Sequence, residues 1–464
     1  MSLLSTQPFA DWTGGTWNKP PPEGITAFNI DSRIVRSRQM FVALATSERD
    51  GHDFVVNAQT NGALAALVSR EIDLADIPQL VVEDPIDALQ KIAGNHRIGF
   101  EGLVIGVTGS CGKTSTKNLL ARLLPDTTLK TQGNLNNHLG VPLTLSLLRP
   151  CHTHAVVEVG MNTPGEIATL ARLTGPDYSV ITTIAPAHLK GIGSIEGVAL
   201  EKAAMAAATR KLTVLPTTCF RFAPFRQLQV PILAAGKPES GFAYPENVRF
   251  CHFEIEHHGE ITRVYLHPET GSTLKFQRSR MSEGMARNTV LALLLGLELG
   301  MEAKLLQARL KIWKPGLLRG EQVRLRDLTF FIDCYNSNPL SMRDSLDYFH
   351  AIIPEGTPRF YVLGGMGELG PYTEEYHWQL GQSFQMRPGD HLFITGREIF
   401  GFLAGYKAAG GDESQVTIFE DKRAVVRFLR EGKGAVFLKG SRAYMLETIY
   451  KQLKEERNPL TAIC

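Results

Sequence analysis

Nine consecutive residues, Gly106-Val107-Thr108-Gly109-Ser110-Cys111-Gly112-Lys113-Thr114, bring glycines, a lysine and hydroxyls into one short segment. Glycines let backbone N–H groups turn inward on phosphate oxygens, and a helix starting there adds a partial positive charge. Lys113 is spaced to reach β- and γ-phosphates, and the Thr114 hydroxyl to ligate Mg²⁺. Residues Gly109, Ser110, Cys111, Gly112, Lys113 and Thr114 are therefore expected to bind a nucleotide. The general phosphate-loop pattern has glycine where Val107 stands, so this is the shorter T-G-x-x-G-K-T form. Glu158 and His188 each follow an apolar run, where strand ends in a parallel sheet face a ligand. There, a carboxylate and an imidazole suit a divalent cation. Residues 131–142 are dense in amides, among them Asn136 and Asn137, which read either as turn chemistry or as polar substrate contacts.

The elements that must hold these groups are legible around them. The apolar run 103–107 precedes the loop, and Leu119, Leu120, Leu123 and Leu124 follow at helical spacing until Pro125. Runs at 155–159 and 179–184 alternate with a helical stretch from Glu166. Continuous apolar runs separated by helices predict parallel strands buried on both faces. The alternation restarts with runs at 330–332, 360–363, 392–394 and 435–438, predicting a second doubly wound, Rossmann-like domain. Before residue 101, a Gly- and Pro-rich opening and runs at 40–44 and 62–68 predict a small α/β module. The expected domains are 1–100, 101–312 and 313–464. Residues 210–280 offer short strand candidates and no defensible chemistry.

Composition narrows the classes. The chain has 464 residues, 43% hydrophobic and 21% charged, which excludes wholesale disorder. Lys and Arg total 49 against 47 Asp and Glu, a net charge of +2, so no basic excess points to nucleic acid. Any anion must be held by a local site. Six cysteines (Cys111, Cys151, Cys219, Cys251, Cys334, Cys464) show no paired spacing and read as reduced thiols. The first basic residue is Lys19 and the longest apolar stretch, 290–299, contains Gly296 and Glu298. Neither a secretory signal nor a membrane span is expected, and the protein is expected to be cytoplasmic.

The motifs then follow one another in a recognisable order. TGSCGKTST (108–116), TQGNLNNHLGVPLTL (131–145), EVGMNTPGEIA (158–168) and TTIAPAHLKGIGSIEGVALEK (182–202) resemble the Mur ligases. GMARN (284–288), LLRGE (317–321), DCYNSNPLSM (333–342), VLGGMGELG (362–370) and LKGSR (438–442) extend the likeness. DSR (31–33), FVAL (41–44) and ERDGHDF (48–54) resemble the family's UDP-binding module.

The resemblance implies an ATP-dependent amide-bond ligase of peptidoglycan precursor synthesis that works through an acyl-phosphate. Within the family, EVGMNTPGEIA, YNSNP and GMGELG resemble the member that adds D-alanyl-D-alanine to UDP-muramoyl-tripeptide. The alternatives are a member adding diaminopimelate or lysine, and a nucleotide-binding regulator that has lost catalysis. The resemblance also implies roles for individual residues. Glu158 and His188 are magnesium ligands with Thr114, and Lys202 matches a lysine that is carbamylated with CO₂ to become a further ligand. Asn288 matches an adenine contact, and Arg319 and Asp333 match groups presented to the nucleotide by the C-terminal domain. Asn136 and Asn137 match residues facing the muramoyl part, and Ser32 and Arg33 those near the uridine diphosphate. Arg287, Gly365 and Ile332 depart from residues common in the family, which touches C-terminal substrate contacts rather than the loop. A monomer acting on small molecules satisfies all of this.

Overall fold

The computed structural model describes residues 3–457. Three large sheets organise the described residues, beside a two-stranded antiparallel pair of Leu4–Ser5 with Gly24–Ile25. The first has five strands in the order Thr16–Trp17, Gln79–Val81, Ala65–Val68, Gln39–Val42, Ala27–Asn29, parallel except for the first pair. The run expected at 62–68 forms a strand only from Ala65, because Asn61 and Gly62 turn the chain out of the preceding helix. Helix Pro85–Ile98 covers this sheet with Ala88, Leu89 and Ile92, which pack on Leu67 and Leu80. Its start is fixed by Asp84, whose carboxylate accepts from Ile86 and Asp87 N–H, and by Pro85 in the first turn.

The central sheet has nine strands. Seven run parallel, in the order Thr128–Lys130, His154–Glu158, Leu103–Thr108, Tyr178–Ile181, Leu212–Pro216, Ile232–Ala235, Val248–His258. Neighbouring side chains along each strand enter different cores. Ile105, Val107, Val156, Val180 and Val214 pack with helices Lys113–Leu123 and Glu283–Glu298. Val104, Ala155, Val157, Ile181 and Leu215 pack with helices Glu166–Thr174 and Ile195–Ala207. Burial on both faces is why these strands read as unbroken apolar runs.

Two features depart from the sequence reading. The run at 179–184 leaves the sheet after Ile181: Thr182 N–H still reaches Thr108 O at the end of the neighbouring strand, but the Thr182 hydroxyl, Thr183 and Ala185 bond to Ser110 and Cys111 of the phosphate loop. The opaque stretch 210–280 supplies five strands. The last two, Ile261–Pro268 and Leu274–Ser279, turn antiparallel, so the sheet ends as a meandering ribbon.

The third sheet has six strands in the order Glu321–Leu325, Leu328–Ile332, Gly434–Lys439, Arg359–Gly364, His391–Thr395, Val416–Ile418, parallel but for the first pair. Asn338 caps helix Pro339–Ile352 in a reciprocal box with Ser341, so the YNSNP segment is a helix start. Five cysteines are free thiols, and Cys464 lies outside the described residues. Among the described residues no helix is long and apolar enough to cross a membrane.

Candidate active site

A cavity of about 970 Å³ opens where the carboxyl end of the central sheet meets the C-terminal domain. The phosphate loop forms its floor. Gly112 has φ +81°, and a β-carbon there would collide with the Asn288 amide; one on Gly109 would collide with the Thr182 hydroxyl. Both positions therefore require glycine. Ser110 N–H donates to Thr183 O at 2.8 Å, Ser110 Oγ donates to Ala185 O at 2.7 Å, and Ala185 N–H donates back to Ser110 Oγ at 2.9 Å. The loop is held in shape by the protein alone.

One side chain of the loop and one of the 131–142 segment meet on a single carboxylate. Thr114 Oγ1 donates to Glu158 Oε1 at 3.0 Å, and Asn136 Nδ2 donates to the same oxygen at 2.8 Å. Glu158 is 1% exposed, and its Oε2 has no hydrogen-bond partner, with Lys117 Nζ standing 3.5 Å away. Lys113 Nζ donates to Gly109 O at 2.8 Å, and burial pushes its pKa down against the pull of Glu158.

Lys202 is fully buried in helix Ile195–Ala207 and its Nζ has no partner. Burial, then the Lys113 charge, push its pKa well below the ordinary lysine value, against Glu201 and Glu166. Burial thus disfavours the charged form of this amine. The neighbouring Glu201 fixes this helix by accepting from Gly165 N–H at 2.6 Å and Ile167 N–H at 3.2 Å. A buried acceptor and a buried amine with unmet bonding capacity each cost about 1–3 kcal/mol. Glu158 and Lys202 both lie within the field of Lys113, and Thr114, Glu158 and His188 give the cavity lining the donor types a divalent cation takes.

The C-terminal domain completes the enclosure. Arg319 donates to Thr114 Oγ1 at 3.0 Å, and its guanidinium lies 3.9 Å over the Tyr335 ring. Asn338 Nδ2 reaches Ser110 O at 3.4 Å. His188 Nδ1 stands 2.6 Å from Glu368 Oε2, and this contact holds the Glu368 carboxyl below its usual range. Asp333 lines the cavity but is engaged by Lys439 Nζ at 2.6 Å and by the Ser345 hydroxyl at 2.5 Å.

The sequence-selected residues thus divide. Gly112, Ser110, Cys111, Lys113, Thr114, Glu158, His188, Asn288, Arg319, Asp333, Asn136 and Asn137 line one cavity, with Gly109 beneath. Asn136 holds the Glu158 carboxylate, and Asn137 Oδ1 accepts from Gly140 N–H at 2.9 Å at the start of helix Gly140–Leu145. Lys202 lies outside the cavity lining. Ser32 and Arg33 sit apart in the N-terminal domain. Ser32 is buried, and exposed Arg33 forks onto Asp31 at 2.9 and 2.7 Å. Sequence reasoning missed Lys117, although it lies one helical turn beyond Lys113 on the same face. It also missed Glu368, Tyr335 and Asn338, whose relevance depends on how two domains meet.

A phosphate loop thus faces a second, Rossmann-like domain across a shared cavity. Residues 107–218 match the family described as the Mur ligase middle domain, and 318–442 match the Mur ligase, glutamate ligase domain. The UDP-N-acetylmuramoyl-tripeptide–D-alanyl-D-alanine ligase of Escherichia coli (strain K12) is 31% identical over 442 residues, covering 93% of this chain and 94% of that protein. The Treponema pallidum (strain Nichols) protein of the same name is 28% identical over 462 residues, covering 94% and 95%. The crystal structure of MurF from Acinetobacter baumannii superposes with a TM-score of 0.83 at 28% identity, covering 98% and 99%. The chain belongs to the family of UDP-N-acetylmuramoyl-tripeptide–D-alanyl-D-alanine ligases.

Proposed function

We propose that this chain joins D-alanyl-D-alanine to UDP-N-acetylmuramoyl-tripeptide at the expense of ATP. The carboxylate oxygen of the tripeptide attacks the γ-phosphorus and ADP leaves. The dipeptide amine then attacks the acyl carbon, phosphate leaves, and an amide forms with release of a proton. We read 1–100 as the module for the uridine diphosphate part, 101–312 as the ATP domain and 313–464 as the domain for the incoming amine.

The carrying observation is the buried Glu158 carboxylate, paired with Lys117 and bonded to the loop's Thr114, whose hydroxyl Arg319 reaches from the opposite wall. Two unit charges about 4 Å apart repel by roughly 1 kcal/mol in water and about 4 at an effective dielectric of 20. That repulsion opposes a carboxylate approaching a γ-phosphate. Magnesium, when bound, supplies charge neutralisation between them. The chain's own residues do the remainder. Loop N–H groups and Lys113 hold the phosphates, and Arg319, kept flat by Tyr335, adds charge from the opposite wall. Asn136 and Thr114 orient Glu158 so that Oε2 stays available. Lys202 contributes a neutral amine, the only form that reacts with CO₂ to give an oxygen donor. His188 and Glu368 close the rim and exclude water from the reactive acyl group. A single chain carries every group used, consistent with a monomer, and cytoplasmic nucleotides supply its substrates.

The test is an amine panel with UDP-muramoyl-tripeptide, ATP and Mg²⁺, reading phosphate release and product mass. Phosphate release that requires both the tripeptide and D-alanyl-D-alanine, with a dipeptide-sized mass gain, supports the reading. Product formed with a single amino acid, or phosphate release independent of any amine, overturns it.

A further inference from the structure

The ribbon that ends the central sheet carries a cluster unrelated to the phosphate loop. His252 lies directly opposite His267 in the antiparallel register, and Glu254 follows His252 by two residues. Side chains two apart along a strand, and those directly opposed across it, share a face. The three potential ligand atoms lie within 4.8 Å of one another. Glu254 Oε1 is 3.5 Å from His252 Nε2 and 3.9 Å from His267 Nε2. Donors about 2.0–2.1 Å from a tetrahedral zinc stand roughly 3.3–3.4 Å apart, so small side-chain adjustments close this triangle.

A second observation points the same way. His267 Nε2 is shielded from solvent and has no hydrogen-bond partner, whereas Nδ1 lies 3.0 Å from Thr273 Oγ1. A ring anchored through one nitrogen, with the other left unmet, is the arrangement of a metal-ligating histidine and its outer-shell partner. The imidazole planes of His252 and His267 are only 20° apart, with centroids at 5.2 Å, and the Nε2 atoms of both rings lie toward the one Glu254 oxygen. Two imidazoles and one carboxylate suit zinc and its first-row neighbours rather than magnesium.

We propose that His252, Glu254 and His267 form a site for a borderline divalent cation of the zinc type, with its fourth position open to water. The opposite face of this ribbon carries Cys251, Val264 and Leu266 into the core, and Phe253 lines the nucleotide cavity. A cation here clips together two strands whose inner side is part of the cavity wall.

The test titrates chelator-treated full-length chain with Zn²⁺ alone, in millimolar Mg²⁺ that occupies the phosphate-loop site. Bound zinc is measured by equilibrium dialysis, and four-coordinate geometry by the visible absorption of Co²⁺. The wild type is expected to bind one zinc more than His267→Ala, with at least 100-fold weaker binding at that step in the variant. Thr273→Val, which removes only the anchor of the ring, is expected to weaken it by roughly 10-fold. Zinc should raise the melting temperature of the wild type and not of His267→Ala. If His267→Ala does not fold, Glu254→Gln at an exposed position carries the same comparison. Equal zinc uptake by wild type and variants, or uptake abolished by Glu158→Gln alone, would overturn the site. The outcome is independent of which amine the enzyme adds.

Discussion

Two charged regions of this chain are built on opposite terms. Around the phosphate loop, Glu158, Lys117 and Lys202 have almost no exposure, and Glu158 Oε2 and Lys202 Nζ lack partners. In the N-terminal domain, Arg33 is exposed and already forked onto Asp31, whose carboxyl its guanidinium holds down to about 2. Buried charges left incomplete are worth their desolvation cost only when a ligand completes them. An exposed pair is complete in water and contributes little beyond local order. The first region is therefore expected to govern turnover and the second only affinity.

The sharpest break in that contrast would come from Lys202. Lys202→Ala is expected to lower kcat by about 10³-fold or more, a loss of roughly 4 kcal/mol in the transition state. Short-chain carboxylic acids should restore part of it, and wild-type turnover in this variant would remove the carbamate from the mechanism. Glu158→Gln should cost about 10²–10³-fold in kcat, because the amide keeps the shape and loses the charge. Arg319→Ala should cost about 10–100-fold; Arg319→Lys should recover little, since lysine cannot lie flat on Tyr335 while reaching Thr114. Arg33→Ala should leave kcat unchanged and raise KM for the UDP substrate by about 2–5-fold, and a fall in kcat would erase the distinction between the regions.

The smallest effect concerns Cys111. Burial pushes its thiol up to about 11. Burial disfavours the charged form, so the reactive thiolate is only about one part in a thousand at pH 8 and grows tenfold per pH unit toward 11. Alkylation followed by mass spectrometry should show this rise, and Cys111→Ser should keep activity within about twofold.

How much of this could be read from residues alone depended on the range of the interaction. The phosphate loop, its strand and its helix were legible because Gly109, Gly112 and Lys113 act through local backbone geometry. Leu119, Leu120 and Leu123 mark the buried helix face at 3.6-residue spacing. The end of the strand at Ile181 was not legible. Thr182 and Thr183 have strand propensity but are captured by Ser110 and Cys111, some seventy residues earlier. The ribbon after Val248 stayed opaque because its alternating polar residues face solvent on one side, which weakens any apolar run. Glu368 and Tyr335 lie on loops whose relevance is set by the second domain's approach, and no spacing within one chain segment encodes it. Lys117 was within reach of the i, i+4 rule and shows that a nucleotide loop should be read one turn into its helix.

The Arg319–Thr114 bond carries a kinetic consequence. The hydroxyl that suits a cation is already taken, at 3.0 Å, by a guanidinium from the opposite wall. A nucleotide arriving with its cation must first pull the jaws apart before that oxygen is free. Loading is then gated by an opening motion, and its rate should saturate with nucleotide concentration instead of rising linearly to the diffusion limit.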